Sequence, residues 1–270
     1  MNSNTKIAFI GSGCMAGAMM RGIISAGVFP PEHVIAINEA YPESAEECAA
    51  SCGCVHGKPD DIESCDIVVF GVKPQVFQEA LKMYGSRFTR DKLYLSIMAG
   101  VSTSTLEHQL GTGRVIRFMP NLALSVGASA TVYATGTDAD SADAKTAEEI
   151  FSPMGLIRRV DEDMISAVTA LSGSGPAYFC LLAEAMADAA LRSGMDPDAA
   201  RELSVQTLIG TAEILKTTGM SPSELRVRVT SKKGTTEAAL NAMADADFAG
   251  AVSAGFEAAR LRSEELGRKS

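Results

Sequence analysis

The sequence predicts an α/β chain in two parts, a mostly parallel sheet domain followed by an all-helical one. Three observations carry that expectation. Short runs rich in Ile, Val, Leu and Phe alternate with helical stretches from Lys6 to Val160, which is how βαβ units read. A glycine-rich turn, Gly11-Ser12-Gly13-Cys14-Met15-Ala16-Gly17, joins the first run to the first helical stretch. After Asp161 the strand pattern stops and Ala- and Leu-rich helices continue to the end. The expected domains are therefore residues 1–162 and 163–270, and a chain of 270 residues has length for both.

Lys6 to Ile10 reads as a short buried strand, and the glycine turn follows it at once. In the pattern G-x-G-x-x-(A/G), Gly11 permits the tight bend and Gly13 lets the backbone approach a pyrophosphate. The small third position lets helix and strand pack closely. Ser12, Cys14 and Met15 fill the loop and the start of a helix running to about Ala26-Gly27. With a second strand at Val34–Ile37, this is a dinucleotide-binding arrangement of Rossmann type. An acidic residue closing that second strand would select NAD, whereas Asn38 stands there. Asn38 leans the expected cofactor towards NADPH, with NADH as the alternative, because Glu39 follows where a basic residue would have helped. Lys58, in the next loop, is a candidate for the missing positive charge, against the plainer reading of a solvated lysine.

Ile67–Val72 is a continuous apolar run of the kind buried in a parallel sheet, and Lys73-Pro74-Gln75 follows it. Ligands of open α/β sheets lie outside the carboxyl ends of the strands. Val72, Lys73, Pro74 and Gln75 are therefore expected at the cofactor. Leu93–Ile97 ends in Met98-Ala99-Gly100-Val101, which places Ile97, Met98 and Ala99 on the same rim. Val115 to Met119 ends in Pro120-Asn121. Ala130–Ala134 and Gly155–Val160 complete the sheet, with a helix at about Ala139–Phe151 between them.

In the second part, Ser172-Gly173-Ser174-Gly175 reads as a small-residue turn, and Pro176 suits the first position of a new helix. The free N–H groups there would suit an anion. That helix, to Arg192, is apolar or small on nearly every face, and Gly194 ends it. Asp196-Pro197 opens a helix to about Thr217, Ser221-Pro222 a short one, and Phe248–Leu266 is the last. The polar turn from Val229 to Glu237 opens a further helix at Ala238–Ala244. Ala183, Ala187, Ala190, Leu208, Ile209 and Ala212 form an apolar surface with too few core partners in so small a domain, which predicts a dimer.

A net charge of −9 and a pI near 4.9 argue against a general nucleic-acid surface. The six cysteines are scattered, and Cys48, Cys52 and Cys54 lack the spacing of a metal site, so no metal is expected. No apolar run is read as approaching a membrane span, and the strand pattern begins by Ile7 without a leader, so the expectation is a cytoplasmic chain with no membrane partner.

Together these motifs resemble pyrroline-5-carboxylate reductase, a family that reduces a cyclic imine to proline. The resemblance spans the chain: Ile10 to Ala16, Val72-Lys73-Pro74-Gln75, Ala99-Gly100-Val101, Met119-Pro120-Asn121, Leu171-Ser172-Gly173-Ser174-Gly175-Pro176-Ala177-Tyr178 and Gly234-Thr235-Thr236. The Ser-Gly-Ser-Gly-Pro-Ala-Tyr run with a Gly-Thr-Thr loop at this distance is the most specific part. The resemblance implies a Rossmann domain that binds NAD(P)H and helices that interlock two subunits, often assembled further into rings. It implies that the loop Ser231–Thr236 binds the substrate carboxylate, through Ser231, Gly234, Thr235 and Thr236. Thr236 would be the catalytic partner of the imine nitrogen.

The chain departs from the family pattern where Lys232-Lys233 replaces Pro-Gly before Gly-Thr-Thr, where Leu122-Ala123 replaces Thr-Pro, and at Val227, where an acidic residue is common. Two alternatives stand beside the reductase: a divergent paralogue acting on another cyclic imine, and a cofactor-binding protein without turnover. A β-hydroxyacid dehydrogenase would carry a catalytic lysine on the first long helix of the second part, and no lysine occurs between Ile165 and Leu215.

Overall fold

The computed structural model describes residues 4–268, so the outermost residues of the two expected domains, 1–3 and 269–270, lie outside the described residues. The chain divides into two compact units. One holds residues up to Ser174 together with those from Ala259 onward, and the other is Gly175–Ala258.

The first unit is a single eight-stranded sheet: β1 (Ile7–Ile10), β2 (Val34–Ile37), β3 (Val55–His56), β4 (Ile67–Phe70), β5 (Leu93–Ser96), β6 (Val115–Met119), β7 (Ser129–Thr135) and β8 (Gly155–Arg159). Their spatial order is β3-β2-β1-β4-β5-β6-β7-β8. All neighbours are parallel except β6 and β7. The first six strands thus have the 3-2-1-4-5-6 order of a dinucleotide-binding fold. Successive residues of β1 point to opposite faces. Ile7 and Phe9 pack with α1 (Cys14–Ser25), α2 (Pro42–Cys52) and α5 (Ser141–Phe151), while Ala8 and Ile10 pack with α3 (Phe77–Tyr84) and α4 (Thr103–Leu110).

Both faces of the central strands are covered, which is why their sequences are unbroken apolar runs. β4 stops at Phe70, two residues before the expected end, and the chain bends at Val72. β3, α3 and α4 are short elements beyond those anticipated, and α3 buries Phe77, Ala80 and Tyr84 on one face. α5 begins at Ser141 because Asp140 accepts from the N–H groups of Ala142 and Asp143, each at 2.8 Å.

The segment 163–174 belongs to the compact sheet unit although its composition is that of the helical part. It contains α6 (Ile165–Val168) and a π turn (Thr169–Gly173), and α7 (Gly175–Arg192) continues from it. The expected helix start is met, since α7 begins at Gly175 with Pro176 second, but a π turn and a bend at Ser174 lead into it rather than an open loop. Because helical residues precede that start, the free N-terminus and anion site expected at Pro176 are not formed. The π turn, closed by Ser174 N–H donating to the Thr169 carbonyl at 2.8 Å, carries the helix through the small residues. Counted as one helix, Glu162–Arg192 is long and apolar enough, by length and composition, to cross a membrane, its most apolar 18 residues having a mean hydropathy of 1.3, against the expectation that no run approaches a span.

The second unit contains α7 and α8 (Pro197–Thr218), which pack together, then α9 (Pro222–Arg228), α10 (Thr235–Asp245) and the start of α11 (Phe248–Gly267). Asp196 caps α8 through the Ala199 N–H at 3.1 Å, and Ser221 and Glu224 form a reciprocal capping box on α9. Phe179, Leu181, Leu203 and Ile209 remain exposed on these helices, a concentration of apolar surface that marks an interaction face.

Candidate active site

Strand register builds the rim. Ile10 is level with Ile37 on one side and Phe70 on the other, and Phe70 is level with Ser96. The next residues, Gly11, Asn38, Gly71 and Ile97, therefore lie side by side at the carboxyl edge. Backbone bonds tie them: Gly11 N–H to Ile37 O at 2.8 Å, Gly71 N–H to Ile10 O at 2.9 Å and Ile97 N–H to Phe70 O at 3.2 Å.

Gly11 has φ +107, and a Cβ there would stand 2.9 Å from the backbone carbon and oxygen of Gly71. Only glycine fits this approach. A Cβ at Gly13 would meet nothing within 4 Å, so the space over the loop is open. Gly13 precedes α1 in extended conformation, no side chain caps that helix, and its first turn holds no acidic residue. The N–H groups of a helix start are thus left for an anion. A cleft of about 480 Å³ lies over this loop, lined by Ile10 to Gly13, Asn38, Ser44, Val72, Lys73 and Tyr84 among others. The open cradle, uncapped helix start and bare rim fit a dinucleotide.

Asn38 Nδ2 donates to Ser12 Oγ at 3.0 Å, and Ser12 Oγ and Ser44 Oγ share a hydrogen bond at 2.7 Å. Asn38 Oδ1 accepts from the Tyr41 N–H at 3.3 Å. This hydroxyl and amide cluster beside the phosphate loop is neutral. The backbone N–H of the exposed Glu39 donates to Tyr84 Oη at 2.9 Å; burial pushes that phenol above its ordinary pKa. Ser44 and Tyr84 escaped the sequence reading because nothing local marks residues so distant in the chain as neighbours of Ser12 and Glu39.

The other expected cofactor residues separate into those the structure gathers and those it does not. Val72 and Lys73 line the cleft, whereas Pro74, Gln75 and Lys58 are not among its lining residues. Lys58 is exposed, and its N–H donates to Asp61 Oδ2 at 2.7 Å as the start of a short helical turn. Met98 is buried with its N–H on Ser96 Oγ at 3.2 Å, and Ala99 is exposed beside it. Cys14 and Met15 line a second cavity of about 460 Å³, between α1 and α2, with Arg21, Glu47 and Cys48.

All six cysteines are free. Burial pushes the Cys48 thiol up to about 12, with Cys52 adding to the shift and Arg21 opposing it, and burial pushes Cys54 to about 11. Protonated, half-buried thiols such as these are packing groups. Among the described residues no cluster of His, Cys, Asp and Glu is arranged to hold a metal.

Asn121, at the end of β6, has a task the sequence did not disclose. Pro176 has no N–H to give the carbonyl four residues back, that of Ser172. Asn121 Nδ2 donates to this carbonyl at 3.0 Å, while its Oδ1 accepts from the Ala123 N–H at 3.1 Å. The Met119-Pro120-Asn121 and Ser-Gly-Ser-Gly-Pro motifs are thus halves of one contact. Gly173 completes it, since a Cβ there would stand 2.7 Å from Met119 Cε.

In the helical unit, Gly234 N–H donates to the Ser231 carbonyl at 3.0 Å, closing a turn immediately before α10. Thr235 and Thr236 are the first residues of α10, and Gly234 provides no capping side chain. The hydroxyls and first N–H groups of that helix therefore gather at one end.

The sheet order, glycine approach and open cradle define a nicotinamide-dinucleotide oxidoreductase of Rossmann type with a helical C-terminal part. Comparison with known proteins agrees. Residues 6–100 match the family described as "NADP oxidoreductase coenzyme F420-dependent", and residues 162–266 match "Pyrroline-5-carboxylate reductase dimerisation". The pyrroline-5-carboxylate reductase of Methanosarcina acetivorans is 40% identical, covering 98% of this chain and 99% of its own. A solved pyrroline-5-carboxylate reductase from Coxiella burnetii superposes with a TM-score of 0.90 at 32% identity, covering 97% and 98% of the two chains. A Plasmodium falciparum pyrroline carboxylate reductase solved with NADP bound gives 0.85 at 27% identity, covering 99% and 100%. The chain belongs to the pyrroline-5-carboxylate reductase family. Its apolar helices from Glu162 onward fall within the region matched to the dimerisation domain.

Proposed function

We propose that this chain reduces 1-pyrroline-5-carboxylate to L-proline, the last step of proline biosynthesis, using NADPH or NADH. The observation that carries the reading is near-full-length similarity to named reductases, joined to a phosphate cradle and a Gly-Thr-Thr helix start in one chain. Gly11, Ser12, Gly13, Cys14 and Met15 would hold the pyrophosphate, Asn38 with Ser12 the adenosine ribose, and Val72, Lys73, Pro74, Gln75, Ile97, Met98 and Ala99 the remaining length of the cofactor. Lys58 would act on the ribose phosphate only by long-range charge.

When bound, the reduced nicotinamide supplies the hydride for the imine carbon. The chain's own contribution is position and a proton. Ser231, Gly234, Thr235 and Thr236 receive the substrate carboxylate, which a helix N-terminus favours. The Thr236 hydroxyl, half-buried at that helix start, hydrogen-bonds the imine nitrogen and holds the proton it gains. Alignment of donor and acceptor accounts for most of the rate.

Residues 163–270 act as the dimerisation and substrate domain, interlocked with those of a second copy and open to assembly into a larger ring, while residues 1–162 bind cofactor. Six free thiols support a cytoplasmic setting.

The test is NAD(P)H oxidation with 1-pyrroline-5-carboxylate, with Thr236→Ala beside the parent. The expected result is turnover in the parent and a fall in kcat of about a hundredfold in the variant, with cofactor affinity unchanged. Folded protein that binds NADPH without turnover would overturn the reading in favour of binding alone, and turnover restricted to another cyclic imine would mark a paralogue.

A further inference from the structure

The turn before α10 holds a residue in an unfavoured conformation. Lys233 has φ 60, and among the described residues only Asp247 is another non-glycine residue with positive φ. A side chain makes this region unfavourable, and glycine enters it freely. The family pattern has glycine at this position, so the lysine must be held by something else. Glu237 is the holding group: its Oε2 accepts from the Lys233 N–H at 2.7 Å. This bond is charge-assisted, and a carboxylate in the first turn of a helix is itself favoured. Gly234 itself is extended, with φ −89 and ψ 175, so the bend falls on Lys233.

We propose that Glu237 is a positioning residue of the substrate loop, fixing Lys233 in its left-handed conformation and so aiming the N–H groups at the start of α10 towards the substrate carboxylate. The proposal rests on the reading of Ser231–Thr236 as the carboxylate site. It also explains why two lysines are tolerated there: Glu237 brings a negative charge to a turn that must receive another, and the exposed Lys232 and Lys233 offset it.

The experiment is a cycle of Glu237→Ala, Glu237→Gln, Lys233→Gly and the Glu237→Ala/Lys233→Gly double variant, read by thermal unfolding and by KM against kcat. Glu237→Ala should lower the melting temperature and raise KM for the imine about tenfold, with kcat little changed. Glu237→Gln keeps an acceptor and should recover most of both. With glycine at 233 the bend no longer needs holding, so Glu237→Ala should then raise KM less than about twofold.

Unchanged KM in Glu237→Ala, or an equal rise in the glycine background, would overturn the proposal. Coupling in the unfolding cycle with no movement of KM would overturn the carboxylate-site reading while leaving Glu237 as the group that holds the turn. Should the parent not turn over this imine at all, the unfolding cycle still decides whether Glu237 holds Lys233, because it needs no substrate.

Discussion

The loop before α1 and the loop before α10 do similar work by different means. Each leaves the first N–H groups of a helix uncapped by a side chain, and each bends the backbone to positive φ just beforehand. Before α1 the bend is at Gly11, where no Cβ exists to meet the Gly71 backbone. Before α10 it is at Lys233, where a carboxylate tethers the N–H. A glycine fixes shape by what it lacks, so substitution there is forbidden by sterics. A tethered lysine is fixed by a bond that another residue supplies, so it yields by degrees.

Breaking the first loop should therefore have the largest effect. Gly11→Ala combines strained φ with a backbone collision, and should abolish measurable NADPH binding and cost several kcal/mol of stability, of the order of about 3. Isothermal titration and denaturant unfolding would read both. Retained cofactor affinity in this variant would remove the steric half of the comparison. The matching change in the second loop, Lys233→Gly, should stabilise by roughly 1 kcal/mol, because the left-handed penalty disappears.

The same contrast explains what was legible in the sequence. The parallel sheet could be read from Ile7–Ile10, Val34–Ile37 and Ile67–Phe70 because burial on both faces demands unbroken apolar runs. The cofactor loop could be read because its geometry requires glycine itself. What stayed hidden rests on partners far apart in the chain. Ser44 meets Ser12, Tyr84 meets the Glu39 N–H, and Asn121 meets the Ser172 carbonyl, and no local pattern announces any of these pairs. The π turn that leads into α7 stayed hidden for the same reason: glycines and a proline locally signal an open turn. The π turn and the Asn121 amide, both products of the fold, make the helical path affordable.

Asn121 extends the comparison to a third way of holding backbone, in which a side chain replaces a missing N–H. Asn121→Ala leaves the Ser172 carbonyl without its donor and should cost about 1–3 kcal/mol in unfolding experiments. Asn121→Asp is the sharper probe, since it keeps the acceptor for Ala123 N–H but faces a carbonyl with a second acceptor. It should be at least as damaging as alanine. An aspartate variant as stable as the parent would show that the carbonyl does not depend on this amide.

Asn38 tests the neutral cluster beside the glycine loop at a smaller scale. Aspartate there would accept from ribose hydroxyls and repel a 2′-phosphate, moving the kcat/KM ratio towards NADH by about tenfold. It would also lose the donor to Ser12 Oγ, so some loss with both cofactors is expected. An unchanged ratio would place cofactor discrimination elsewhere on the rim.

The smallest effect lies in the thiols of the sheet unit, and its sign follows from protonation. Folding raises Cys54 and Cys65 to about 11 and Cys48 to about 12, burial being the largest cause in each. A thiol that binds its proton more tightly when folded contributes stability that is full below the unfolded value, about 8.5. That contribution is lost as pH rises through the folded value. Denaturant midpoints should therefore hold level to about pH 8 and decline from about pH 9 upward. Buried Tyr84, Tyr94 and Tyr133 are raised in the same direction, but their unfolded value is near 10, so the thiols begin the decline. Cys54→Ala should shallow the decline between about pH 8.5 and 9.5, where the phenols contribute little. An equal slope in that variant would mean Cys54 titrates alike in the folded and unfolded chains, and that the packing around Met20 is open to water.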